Sequence, residues 1–176
     1  KKFFMNRVAN KLSNGGFYEL LKSLVRYIHI TEFVYLIKLK PLDIEFSKLL
    51  SFSKMTISNL DEAKKNNGNE IDSRKYKIIY DRIINDSSDI PYVVCYEDNV
   101  AGYFHIALET NYDICVDNIK NNIHLFDDYT FKKYRGKGVH KFSIYSRLKY
   151  GFSEGYTTAT VNILKNNYFS EKAYKR

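Results

Sequence analysis

The chain has 176 residues, 44% of them hydrophobic, which suits one domain with a substantial core and excludes wholesale disorder. Its most apolar stretch, Leu24 to Leu42, is broken by Arg26, Glu32, Lys38 and Lys40, which excludes a membrane-spanning helix of about 20 mainly apolar residues. With no signal peptide visible, a soluble, cytoplasmic protein is expected.

The net charge of +8 attracts polyanions: nucleic acid, anionic lipid or a multiply phosphorylated cofactor. Charge alone does not choose among them. The two cysteines, Cys95 and Cys115, show neither CxxC spacing nor a His/Cys cluster, so no metal site is expected and free thiols are.

In chain order, residues 17–29 place Phe17, Leu20, Leu21, Leu24, Val25 and Ile28 on one helical face, with Lys22 and Arg26 on the other. This reads as a packed amphipathic helix, or alternatively a basic helix on a membrane or partner. Residues 32–40 are β-branched and aromatic and read as a strand closed by Pro41. Residues 43–65 read as helical with polar interruptions, and 64–70 as a loop. Residues 73–85 repeat apolar positions at helical spacing, with Ser73 as the N-cap.

The period then changes to that of strands. Residues 91–96 and 100–108 flank a tight turn and predict a hairpin. A polar connection follows over 111–122, then a strand over 123–131, a helix over 139–153, a strand over 156–164 and a helix from Tyr168. The order predicts one mixed α+β domain, residues 1–176. Residues 1–90 form a helix-rich N-terminal part, and the strand–helix–strand unit at 123–164 gives a locally parallel pair.

The segment Lys132-Lys133-Tyr134-Arg135-Gly136-Lys137-Gly138-Val139-His140 lies between a strand and a helix. Two glycines let the backbone turn sharply and approach a ligand. The first-turn amides and the positive end of the helix dipole favour an anion, and Arg135 and Lys137 add charge. A Walker loop does not fit, because no glycine precedes Gly136 at the required spacing. A dinucleotide fingerprint does not fit either, because Lys141 stands where the third glycine belongs.

Downstream, Asn167, Ser170 and Tyr174 keep offsets of three and seven residues, which hold one helical face. Together the two segments resemble the acyl-CoA-binding half of the GNAT superfamily of N-acetyltransferases. Lys133 to Gly138 match the signature [Q/R]-x-x-G-x-[G/A], with Lys in place of Gln or Arg at the first position, and His140 stands where Gly or Ala is frequent.

The resemblance implies a central, mostly antiparallel sheet with a parallel pair splayed around the cofactor. It also implies acyl transfer from acetyl-CoA to an amine by direct attack. Arg135, Gly136, Lys137, Gly138, Val139 and His140 would hold the diphosphate. A backbone N–H at Thr130 or Phe131 would meet the thioester carbonyl. Asn167 and Ser170 would line the pantetheine arm, and Tyr174 would protonate the leaving thiolate. Asp127, Asp128, Glu97, His105 and His124 are the candidate bases, and Asp128 is taken as the catalytic one. The alternative for Asp127 and Asp128 is a solvated or capping role. For the whole chain the alternatives are a basic nucleic-acid-binding module and a non-catalytic acyl-CoA binder of the same fold. The nucleic-acid reading lacks an aromatic RNP string and a GxxG loop. A homodimer stays open.

Overall fold

The computed structural model describes residues 32–41, 44–85, 88–108, 121–164 and 166–174. The helix expected over 17–29, Cys115 and most of the 111–122 connection lie outside these residues. Strand β1 spans Glu32–Lys38, β2 Leu50–Lys54, β3 Asp89–Tyr96, β4 Asn99–Leu108, β5 Asn122–Thr130 and β6 Thr158–Leu164. Helix α1 spans Ile57–Asn66, α2 Ser73–Ile84, α3 Val139–Ser153 and α4 Tyr168–Tyr174. Short 3-10 turns cover Gly68–Glu70 and Lys132–Tyr134.

The strands form one six-stranded sheet in the order β1-β6-β5-β4-β3-β2. Every neighbouring pair is antiparallel except β5 with β6, which α3 connects in parallel. Both sheet edges, β1 and β2, come from the part of the chain expected to be helix-rich. The helical reading of 43–65 is corrected for the described residues up to Thr56, none of which is helical. In Leu50-Ser51-Phe52-Ser53-Lys54 the apolar residues alternate, and Leu50 and Phe52 pack on the core while Ser51 and Ser53 are exposed. Thr56 then starts α1 through a capping box with Asn59. The cap of α2 is Asp72, one residue before the expected Ser73, and its carboxylate accepts the Lys75 N–H at 2.7 Å.

Two clusters of buried side chains form the core. Leu60 and Ala63 of α1, Ile71 before α2 and Ile79 of α2 pack with Val93, Tyr103, Phe104 and Phe131. Ile106, Ile123, Leu125, Ala159 and Val161 pack with Leu148 and Tyr150 of α3.

The strand that carries the rest is β5. His105 of β4 lies opposite Phe126 and Tyr103 opposite Tyr129, so β5 holds an extra residue between them. Asp127 takes up the irregularity at φ 52, a left-handed conformation that Asp tolerates better than most residues. Beyond the bulge β5 stays paired with β4 up to Gly102↔Thr130. Its pairing with β6 ends at Leu125↔Val161. The two parallel strands therefore part along the second half of β5.

Gly102 sits against this stretch: a Cβ there would meet the Tyr129 carbonyl oxygen at 2.5 Å. Gly102→Ala is expected to cost about 1–3 kcal/mol of overpacking strain, read as a lower midpoint in urea unfolding. Gly151→Ala should cost less, since its Cβ meets the mobile ends of the Ile123 and Leu39 side chains.

Candidate active site

The glycine segment is exposed at Lys132, Lys133, Arg135, Gly136, Lys137 and Gly138, while Tyr134 and Val139 anchor it in the core. Gly136 and Gly138 both take φ 80, the left-handed region that glycine enters without a Cβ penalty. A Cβ at either would meet nothing within 4 Å, so both face open space. Gly138 is the N-cap of α3 and brings no side chain to cap it, and the first turn holds no acidic residue. The N–H groups of Val139, His140 and Lys141 precede the first intrahelical bond, which Phe142 makes to the Gly138 carbonyl at 2.9 Å. The segment is thus a cluster of uncapped donors at the positive end of a helix of 15 residues. Lys137 Nζ rests 4.4 Å above the Tyr96 ring, and Arg135 Nε reaches the Thr130 carbonyl at 3.3 Å. Both cations stay beside the turn.

Phe131 and Thr130 differ in what their amides can do. The Phe131 N–H donates to the Ala101 carbonyl at 3.0 Å and is held within the sheet, and its ring is fully buried. Backbone groups alternate in direction along an antiparallel strand. The Thr130 N–H therefore faces the side from which β6 has parted. The Thr130 Oγ1 is also buried there without a hydrogen-bond partner among the described residues.

At the bulge the neighbouring carboxylates of Asp127 and Asp128 meet different helices. Asp127 meets α2, with Lys75 Nζ at 2.7 Å and Arg82 at 3.0 Å. Burial opposes its ionisation, yet the His105 ring, then Lys75 and Arg82, hold its carboxyl below the usual range. Asp128 meets α3 and α4. Both guanidinium ends of Arg147 donate to its two oxygens at 2.7 Å, His140 Nε2 to Oδ2 at 3.2 Å, and the Tyr174 hydroxyl to Oδ2 at 3.0 Å. Burial alone would raise the Asp128 carboxyl, but Arg147 and then His140 outweigh it and hold the group well below the usual carboxylate range. Burial, and next the Asp128 charge, push the Tyr174 phenol well above its ordinary value near 10.

The remaining sequence candidates are spread out. Asn167 Oδ1 accepts the Ser170 N–H at 3.2 Å and so caps α4, with Asn167 exposed and Ser170 half-buried. His105 is fully buried. Its Nδ1 donates to the Asp127 carbonyl at 3.3 Å, its Nε2 has no partner among the described residues, and burial pushes it down to about 4. His124 lies between β5 and β6 with Nδ1 3.0 Å from the Thr160 hydroxyl, and burial lowers it as well. Glu97 belongs to the exposed turn between β3 and β4. Cys95 is a free thiol, half-buried, and burial raises it.

Arg147 and Glu70 were missed by sequence reasoning. Arg147 shares the buried face of α3 with Val139, Ser143, Ile144 and Gly151. That helical spacing, applied to a charged residue, is the signal that could have found it. Glu70 accepts from the Tyr129 hydroxyl at 2.9 Å and the Lys132 N–H at 3.1 Å, contacts across more than fifty residues that no local pattern encodes.

The sequence profile described as "Acetyltransferase (GNAT) family" matches residues 56–176, the stretch that holds this turn, the bulge and α4. The chain belongs to that family. No curated protein matches the GNAT chain at the level required for a relative. Solved structures share its fold. One is the aminoglycoside acetyltransferase AAC(6')-Iy in complex with a bisubstrate CoA analogue, at 14% identity and a TM-score of 0.58, covering 72% of this chain and 87% of that one. Another is the ribosomal-protein-S18-alanine N-acetyltransferase from Escherichia coli, at 10% identity and 0.54, covering 72% and 74%. A third is a transcriptional regulator from Bacillus halodurans, at 13% identity and 0.54, covering 72% and 89%. Among the described residues no helix is long and apolar enough to cross a membrane, and no group of His, Cys, Asp and Glu could hold a metal ion.

Asp128 gives a pH-dependent prediction. Its carboxyl is depressed in the folded state, so its pairing stabilises the fold above the unfolded value near 3.9 and is lost as pH falls through the folded value. Asp128→Asn leaves Arg147 without its counter-charge and is expected to cost about 3 kcal/mol at pH 7. Urea unfolding from pH 7 to pH 3 should show the gap to the parent protein narrowing only below about pH 4.

Proposed function

We propose that this protein moves an acetyl or other acyl group from acyl-CoA to an amine. The observation that carries the reading is the uncapped start of α3. Two open, left-handed glycines and unspent amides stand beside Arg135 and Lys137, where β5 and β6 have parted. These residues fit a diphosphate: the N–H groups of Gly138, Val139, His140 and Lys141 supply directional donors, and the cations supply charge. Acyl-CoA, when bound, supplies the activated thioester.

The chain's residues divide the remaining work. The Thr130 N–H donates to the thioester carbonyl as negative charge develops on that oxygen, since the Phe131 amide is already held by Ala101. Asn167, beyond capping α4, offers its Nδ2 donors to the pantetheine arm, with Ser170 on the same face. Tyr174 turns its hydroxyl from Asp128 and gives its proton to the leaving thiolate, and the proton shed by the attacking nitrogen passes through water to restore the phenol. Asp128, expected as a base, acts in this reading as the acceptor that holds Tyr174. Arg147 occupies both its oxygens, and its proton affinity is too low for it to deprotonate an amine well. The cytoplasm remains the expected location.

Gly138→Glu, which puts bulk and negative charge where the diphosphate sits, should abolish CoA binding in calorimetry, while the Cβ at φ 80 lowers stability by about 1–2 kcal/mol and leaves the protein folded. Tyr174→Phe should lower kcat by about a hundredfold in acetyl-CoA thiol release with an amine panel. Its CoA affinity should stay within about threefold. Full CoA binding without thiol release for any amine would instead favour a non-catalytic acyl-CoA binder.

A further inference from the structure

We infer that Arg147 is a positioning residue: by gripping Asp128 it fixes where the Tyr174 hydroxyl stands. The inference rests on the reading of Tyr174 as the acid. Arg147 is fully buried in the middle of α3, and its N–H groups are committed. Nε donates to the Ser143 carbonyl at 3.2 Å. One terminal nitrogen donates to the His105 carbonyl at 2.9 Å and to Asp128 Oδ1 at 2.7 Å. The other donates to Asp128 Oδ2 at 2.7 Å and faces the Tyr174 oxygen and the Ser143 hydroxyl at 3.5 Å.

A buried ion pair does not by itself make a fold more stable than apolar side chains of the same volume would. What this pair provides is geometry. A two-pronged grip prevents the carboxylate from rotating, so Oδ2 has a fixed place. Tyr174 and His140 both donate to that same oxygen.

The tyrosine needs such a fixture. Helix α4 has seven residues and no fully buried side chain. Helices that short are not stable on their own. Phe169 is 91% exposed and Tyr168 72%, so the start of α4 has little packing to orient it. The Tyr174 end is held at the Asp128 oxygen and by ring contacts, among them His140 edge-on at 6.0 Å. His140 contributes its backbone N–H to the turn proposed to bind the diphosphate and its ring to Asp128. One residue thus links the cofactor site to the carboxylate that orients the acid.

The test is a double-mutant cycle on the full chain, using thiol release from acetyl-CoA with a panel of a polyamine, an amino sugar and a peptide amine. Arg147→Met is expected to lower kcat about tenfold or more with KM for acetyl-CoA within about threefold. Arg147→Met combined with Tyr174→Phe should be no slower than Tyr174→Phe alone, because the arginine acts through the hydroxyl. Losses that multiply would show a merely structural arginine and overturn the inference, as would wild-type kcat in Arg147→Met. Asp128→Asn, which keeps the shape, replaces Arg147→Met in the same cycle if the latter does not fold.

A second readout does not depend on turnover. In protein labelled with tyrosine 13Cζ, the Tyr174 signal, assigned by its loss in Tyr174→Phe, should move in Arg147→Met and in Asp128→Asn. An unmoved signal overturns the inference even if no amine is acylated. Wild-type kcat in Tyr174→Phe together with a moved signal defeats the acid reading and leaves the positioning intact.

Discussion

One extra residue in β5 shapes the functional half of this molecule. Without it, β5 would run beside β6 as an ordinary parallel neighbour, with its amides paired and no cleft between the strands. With it, pairing stops at Leu125↔Val161 while β5 continues along β4 to Thr130. The unpaired edge would be an unfavourable exposure of backbone groups in a purely structural sheet. Here it lies before the glycine turn and the start of α3, so two separate groups of donors, the Thr130 amide and those of the first turn of α3, flank a turn whose own amides are mostly paired.

The electrostatics gather at the bulge, where Asp127 and Asp128 each reach a different helix. Asp127 binds Lys75 and Arg82 of α2, and Asp128 binds His140 and Arg147 of α3. Breaking the buried Arg147–Asp128 pair from one side costs about 3–5 kcal/mol, comparable to a large part of the stability of a small domain. The irregular strand is thus pinned on both sides. The stretch of β5 that β6 leaves unpaired is fixed by paired charges.

The sequence made some of this legible and hid the rest for identifiable reasons. Helix α3 was readable end to end, because Gly136 and Gly138 precede it and Gly155 follows it. The hairpin of β3 and β4 was readable because two apolar, strand-like runs flank the short polar stretch Glu97-Asp98-Asn99. Strand β2 was not: five residues with two serines give too short a pattern to outweigh the helical sequence after it. The parallel pair was foreseen from element order, whereas β1 joining β6 was not, since that pairing spans more than a hundred residues.

At the site, the glycine turn and Tyr174 stood out as motifs. Asp128 stood out as an acid, but its fourfold engagement depends on Arg147, a charged residue on a face that sequence reasoning reserves for apolar ones. A buried arginine becomes visible only when its partner is known. That partner lies on a strand whose register includes a bulge, and no residue pattern announces the bulge.

The most direct test of the account follows backbone amide signals in a 15N-labelled sample as CoA is added. The account predicts that the N–H resonances of Gly138, Val139, His140 and Lys141 shift together and saturably, with that of Thr130 following when acetyl-CoA is used. Unmoved signals at these positions, with CoA bound elsewhere or not at all, would contradict it.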